Sequence, residues 1–178
     1  MLYFIYMKLP YSSHSKSNAK GFTLIELLMS VSLILIVTGA LIPSFNAYMK
    51  SQSLKQAQEF LKSDLRSVQN KALTGAESQD TSLKYWGVKF SQNSANYTYH
   101  VSTTTDCGAL NSSTQRGTAT LPGVIVVKSP SGCVFFSMAN GNALGTDGLS
   151  SEKISLGYPS GTDTKEVLFN SGGLIYSN

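Results

Sequence analysis

Histidine and cysteine are scarce in this chain of 178 residues, which holds two of each: His14, His100, Cys107 and Cys133. His14 stands near the amino terminus and His100 alone in a strand-like stretch, so no His/Cys group has the spacing of a metal site, and no metal or other cofactor is expected. Acidic residues are also few, ten in all. Asn140-Gly141-Asn142 and Asp147-Gly148 lack the regular ladder of oxygen ligands that a calcium loop needs, and they read as turns. No G-x-S-x-G elbow, G-x-G-x-x-G fingerprint or P-loop occurs among the many serines and glycines. Catalysis has no visible apparatus, and an enzyme is not expected. No internal repeat or long low-complexity tract is visible, and the length suits one domain with a fair core, too short for a multidomain enzyme.

A net charge of +4 invites a nucleic-acid reading until the charge is located. Lys8, Lys16 and Lys20 precede the one long apolar run, and from Gly21 onward eleven basic residues face ten acidic ones. The excess that remains sits between Ser44 and Thr74, on Lys50, Lys55, Lys62, Arg66 and Lys71. From Gly75 to the end six basic residues meet seven acidic ones. That part has no bulk positive field, although Lys84, Lys89, Arg116 and Lys128 would make a local patch if they converged. Duplex DNA is not expected as a partner.

The apolar run extends from Phe22 to Ile42 and is followed by Pro43. At about 1.5 Å per helical residue it reaches roughly 30 Å, the thickness of a bilayer's hydrocarbon core. It exceeds the apolar stretch of a secretory signal, and no small-x-small site closes it. A membrane helix is therefore expected over 22–43. Glu26 is the one charge inside the run, and a lone carboxylate in hydrocarbon costs at least a few kcal/mol. Either it lies at headgroup depth and stays wet, or a cation meets it. The run holds no Lys or Arg, so that cation must come from a chain terminus or another molecule. A cut between Gly21 and Phe22 would supply an α-amine near helix-turn distance from Glu26, on the same helix or on a neighbour.

Lys20-Gly21-Phe22-Thr23-Leu24-Ile25-Glu26-Leu27 resembles the class III signal of the type IV pilin and type II secretion pseudopilin family. The resemblance implies that a membrane-embedded prepilin peptidase and N-methyltransferase cuts after Gly21 and methylates Phe22. It also implies that Glu26 is the family's fifth-position glutamate and that Pro43 is the proline that kinks or locally melts the stem. A plain kink is the alternative reading of Pro43. Further implied are other pilin or pseudopilin subunits packing through their stem helices, an inner-membrane assembly platform and membrane lipid as partners. The chain would cross the cytoplasmic membrane once, leader inside and head outside, before joining a surface or periplasm-spanning filament. The leader is 1–21, or begins at Met7 if translation starts there.

After Pro43 the apolar residues become periodic. Leu54, Ala57, Leu61, Leu65, Val68 and Ala72 fall on one stripe of a 3.6-residue helix, with Phe60 beside it widening the buried face. Gly75 is the first credible stop. The helix is thus expected from about Phe22 to Leu73, with 44–74 as an amphipathic stem. The remainder, 75–178, breaks into short strands separated by turn residues, too closely spaced for crossover helices, which predicts antiparallel sheets. Strands 83–90 and 97–102 should pair, as should 120–127 and 133–138, with further strands at 153–156, 166–169 and 174–176. The stretch 103–120 reads as an exposed loop. The fold class is α+β: a long amino-terminal helix packed on an antiparallel head.

Cys107 and Cys133 lie in the region that the resemblance places outside the cytoplasm, where an even pair is expected as a disulfide, with two free thiols as the alternative. By layout more than by motif, the head resembles the minor pseudopilin group called GspH and its minor pilin counterpart FimT. A minor structural subunit is the first reading. A major filament subunit is the second, and a DNA-binding minor pilin of an uptake machine stands behind both.

Overall fold

The computed structural model describes residues 21–76, 82–146 and 152–178, apart from the side chains of 40, 41, 43, 44 and 146. The leader 1–20 and the Asp147-Gly148 turn lie outside the described residues. The chain divides into two compact units, Met1–Ser44 and Phe45–Asn178. The fold is α+β, a helix packed on antiparallel sheets.

Helix α1 is Leu24–Leu73. Its end is fixed locally: Gly75 takes φ 63°, its N–H donates to the Ala72 carbonyl, and the Ala76 N–H reaches back to Lys71. This is the six-to-one and five-to-two pairing of a Schellman cap, and only glycine adopts the left-handed conformation there without a Cβ penalty.

Within the second unit α1 buries Leu54, Ala57, Leu61, Leu65, Val68 and Ala72, the stripe that the 3.6 period marks. Phe60 does not widen it, being 44% exposed. It stands six residues, about 600°, from Leu54 and so on the flank turned away from the core.

Two sheets cover the stripe. One has β1 Tyr85–Phe90, β2 Asn96–Ser102, β3 Gln115–Thr120, β5 Gly132–Ser137 and β6 Ala143–Thr146, in the order β3-β2-β1-β5-β6. The other has β4 Val126–Val127, β7 Lys153–Gly157, β8 Thr164–Phe169 and β9 Ile175–Ser177, in the order β4-β7-β8-β9. Every neighbouring pair is antiparallel. Trp86, Val88, Phe90, Tyr97, Val134 and Phe136 of the first sheet and Ile154, Leu156, Val167 and Phe169 of the second join the α1 stripe in one core.

The expected pairing of 83–90 with 97–102 is present as β1 and β2, with Trp86 opposite Val101 and Phe90 opposite Tyr97. Two expectations about the sheets need correction, and one strand was not expected. Strand 133–138 does not pair with 120–127: β5 lies between β1 and β6, and β4, only two residues long, pairs with β7. The expected loop 103–120 ends in an edge strand, β3, that pairs with β2. The glycine-bearing stretch after Asn140 holds another edge strand, β6.

The outer face of the first sheet is covered too. Residues 103–114 cross it, making a one-turn 3-10 helix at Cys107–Ala109 capped by the Asp106 carboxylate. Cys107 and Cys133 are bonded, with their Cα atoms 5.7 Å apart and the two residues 26 positions apart in sequence. A link across that span restrains the unfolded chain by about 3.5 kcal/mol on loop-closure arithmetic. Cys107, Leu110, Cys133 and Phe135 form a small second core there with Tyr85. Opposite Phe135 stands Gly87, where an added Cβ would meet the Phe135 ring at 2.9 Å. A strand covered on both faces is buried throughout, as β5 is from Gly132 to Phe136.

Candidate functional site

The sequence places the functional motif at the start of α1. Thr23 precedes the first helical residue, and its hydroxyl accepts the Glu26 N–H at 3.3 Å while its carbonyl accepts the Leu27 N–H at 3.1 Å. Thr23-x-x-Glu26 thus has the order of a capping box, a signal in the sequence that the charge argument on Glu26 passed over. An acid in the first turn is also favoured by the helix dipole. Gly21 and Phe22 are exposed, Phe22 by 82%, and space around Gly21 is open.

The side chains from Leu24 to Gly39 are exposed, among them Ile25, Leu28, Leu33, Ile34, Leu35 and Ile36 at more than half of their area. Ser30, Ser32 and Thr38 return their hydroxyls to carbonyls one turn back, so their polarity is consumed within the helix. The Glu26 carboxylate meets no cation among the described residues. Pro43 falls inside α1.

Residues 16–42 match the prokaryotic N-terminal methylation motif. The match covers that motif alone, and it supports a type IV pilin-like class III signal in this chain. Comparison with curated proteins and with solved structures finds no match. The motif is one of structural, filament-type subunits processed by a prepilin peptidase at the cell envelope. Among the described residues no helix is long and apolar enough to cross a membrane. Residues 40, 41, 43 and 44 lie outside the described side chains, at the far end of the apolar run. The membrane-crossing expectation for 22–43 therefore rests on sequence.

The head gathers polar groups that the sequence did not reveal. Asp64 receives the Tyr97 hydroxyl at 2.6 Å and the Tyr99 hydroxyl on the same oxygen. Burial, then the Asp64 carboxylate, hold both phenols well above their ordinary pKa, so they remain donors. The Lys71 ammonium lies 5.4 Å from the Trp86 ring centre and 5.6 Å from that of Tyr99. On another flank of α1, Gln58 donates to the carbonyls of Glu166 and Asn178, Arg66 to that of Ile175, and Gln69 to those of Gly141 and Gly173. Lys62 pairs with Glu59 and donates to the Ser177 hydroxyl. These groups fasten β9 and two turns to the helix, an anchoring role that a charge tally cannot show.

His100 stands in β2, the strand-like stretch of the sequence, and is buried, its ring between the Thr98 and Thr114 hydroxyls at 2.8 and 3.0 Å. Burial first, and then Lys89, lower its pKa, against a backbone hydrogen bond with Asn111 that raises it. Among the described residues no three His, Cys, Asp or Glu side chains gather as metal ligands.

The four cations of the candidate patch differ in their partners. Lys84 precedes β1, while Lys89 donates to the Leu110 carbonyl, Arg116 on edge strand β3 to the carbonyls of Ser113 and Gln115, and Lys128 to that of Pro159.

Proposed function

We propose that the chain is a structural subunit, in the minor class of the GspH and FimT type, of a type II secretion pseudopilus or type IV pilus. The observation that carries this reading is the methylation motif at 16–42 on a chain whose long helix packs, further on, against an antiparallel head. Residues 1–21 are the leader, 22–43 the membrane and assembly segment, 44–74 the stem and 75–178 the head. Cleavage after Gly21 frees the amine of Phe22, which is methylated by the prepilin peptidase and N-methyltransferase. In the membrane the apolar segment is satisfied by lipid, and it leaves the bilayer only when other apolar stems replace that lipid.

Glu26 sets the register of that exchange. Its carboxylate is costly among lipid tails and favourable against the Phe22 amine of a neighbouring stem. Pro43 has no N–H for the Gly39 carbonyl, which makes its turn the easiest of the stem to unravel during packing. The work of lifting a subunit comes from the assembly platform, since the sequence has no nucleotide motif.

The minor position is supported by the covered outer face of the first sheet, where 103–114 forms an irregular disulfide-bonded layer. A layer of that kind suits a subunit with one packing face better than one repeated along a filament. Intact-mass and N-terminal peptide analysis of membrane or filament material tests the processing step. Mature chains are expected to begin at N-methylated Phe22. A functional membrane form that keeps residues 7–21 would overturn the reading.

A further inference from the structure

Directly after the apolar run, α1 carries features unlike the rest of its surface. Phe45, Tyr48 and Met49 are exposed at 62%, 58% and 48%, and none of them belongs to the core. Aromatic side chains of this kind settle at the bilayer surface, with their rings among the headgroups. Lys50 and Lys55 follow within three turns. Lysines flanking the trailing end of a membrane segment oppose the positive-inside tendency when that end faces outward.

The structure brings a third lysine to them. Lys50, Ser51, Asp163, Thr164 and Lys165 line a cleft of about 250 Å³, whose floor is Leu54 and Ala47. Lys165 and Ser51 also line the neighbouring cleft of about 450 Å³, together with Lys55 and Ser177. The ammonium groups of Lys50, Lys55 and Lys165 make no hydrogen bond or ion pair among the described residues. Glu59, on the rim of the second cleft, is taken up by Lys62 and the Ser177 hydroxyl. Asp163 faces Lys50 and Lys165 in the first cleft, Glu59 also acts on Lys55 in the second, and the hydroxyls beside the lysines are donors suited to phosphate oxygens. The Tyr158 hydroxyl fastens the β7–β8 loop to α1 by donating to the Lys50 carbonyl at 3.3 Å, so the cleft has a fixed wall.

We propose that this cleft binds the phosphate of an anionic phospholipid headgroup and holds the unassembled subunit at a set depth on the bilayer. The inference rests on the membrane reading above. It adds a site and a ligand class to it. Lysines near an anionic surface are attracted to it, an attraction that salt screens within a Debye length. Packing of stems into a filament removes the site from the lipid, so the contact favours storage in the membrane until the subunit is lifted.

The test uses the full mature chain in nanodiscs of phosphatidylcholine, with or without a quarter of phosphatidylglycerol. Hydrogen exchange is followed at residues 158–164. Exchange there is expected to slow at least threefold in the anionic discs, to return to the neutral-disc rate in 0.5 M NaCl, and to show no slowing in a Lys50→Gln/Lys165→Gln variant of unchanged circular dichroism. Equal exchange in the two discs, or slowing that survives in the variant, overturns the site. The same slowing in neutral discs on adding 5 mM inorganic phosphate overturns the lipid assignment in favour of a free-anion site. A chain that enters neither disc overturns the membrane reading and the site with it, whereas one that inserts and exchanges equally overturns the site alone.

Discussion

His100 shows how a side chain's surroundings decide its part in the fold. Alternation along β2 puts it on the outer face of the first sheet, where an uncovered sheet would leave it wet. The layer 103–114 removes the water and supplies Thr114 as a partner, and Thr114 also accepts the Asn111 N–H. Protonation would set a second cation beside Lys89 in a buried place. Because the folded pKa is depressed, the neutral ring contributes stability above its unfolded value of about 6.5, and the contribution is lost as pH falls through the folded pKa. We expect the unfolding free energy of the second unit, residues 45–178, to fall below pH 6.5 with a slope no steeper than one proton's, about 1.4 kcal/mol per pH unit, and its melting temperature to fall with it. His100→Gln should flatten that slope while the carboxylate-driven loss at lower pH remains. A melting temperature level from pH 7 to 5 in the wild type would show that the ring titrates freely.

Elements were legible where a period ran through them. The stem stripe declared itself because residues spaced three and four apart share a face, and β1 and β2 because apolar and polar residues alternate with turn residues between them. Leu65→Ala should therefore cost about 2–5 kcal/mol by denaturant unfolding, as a fully buried large-to-small change does, and Phe60→Ala about 0.5 kcal/mol or less. Equal costs would place Phe60 in the core after all. The strand β3 was illegible for a converse reason: Gln115-Arg-Gly-Thr-Ala-Thr120 is an edge whose side chains are mostly wet, so nothing marks it as a strand apart from its partner. The strand β6 hides Gly145 and Leu144 among turn residues. Pairing failed where the nearest strand in sequence was preferred, since β5 is buried on both faces and needs neighbours on each side. The bonds at Asp64 were illegible because a helical wheel shows which flank a residue takes but not whether another element reaches that flank. Tyr97 and Tyr99, side by side on one face of β2, do reach it.

At the scale of the molecule two surfaces with opposite needs share one chain. The second unit satisfies itself: its core is closed by α1 and two sheets, and no buried side-chain nitrogen or oxygen among the described residues lacks a partner. The run from Phe22 to Ile42 does not, since its described large apolar side chains are exposed. If assembly belongs to the run as proposed and folding to the head, the two should separate under mutation. Glu26→Ala removes a carboxylate that contributes nothing to the head's core, so head stability and membrane insertion should be unchanged. Incorporation into sheared filaments should fall at least tenfold, the effect of losing about 1.4 kcal/mol of pairing with a neighbour's amine. Quantitative mass spectrometry of the filament and membrane fractions reads both results. In wild-type filaments the same measurement should count this chain at a few copies against the most abundant pilin-like chain. Equal incorporation of the variant would make Glu26 incidental to packing. A wild-type chain that supplies most of the filament mass would make it a major subunit, leaving the proposed cleavage after Gly21 and the fold of the head unaffected.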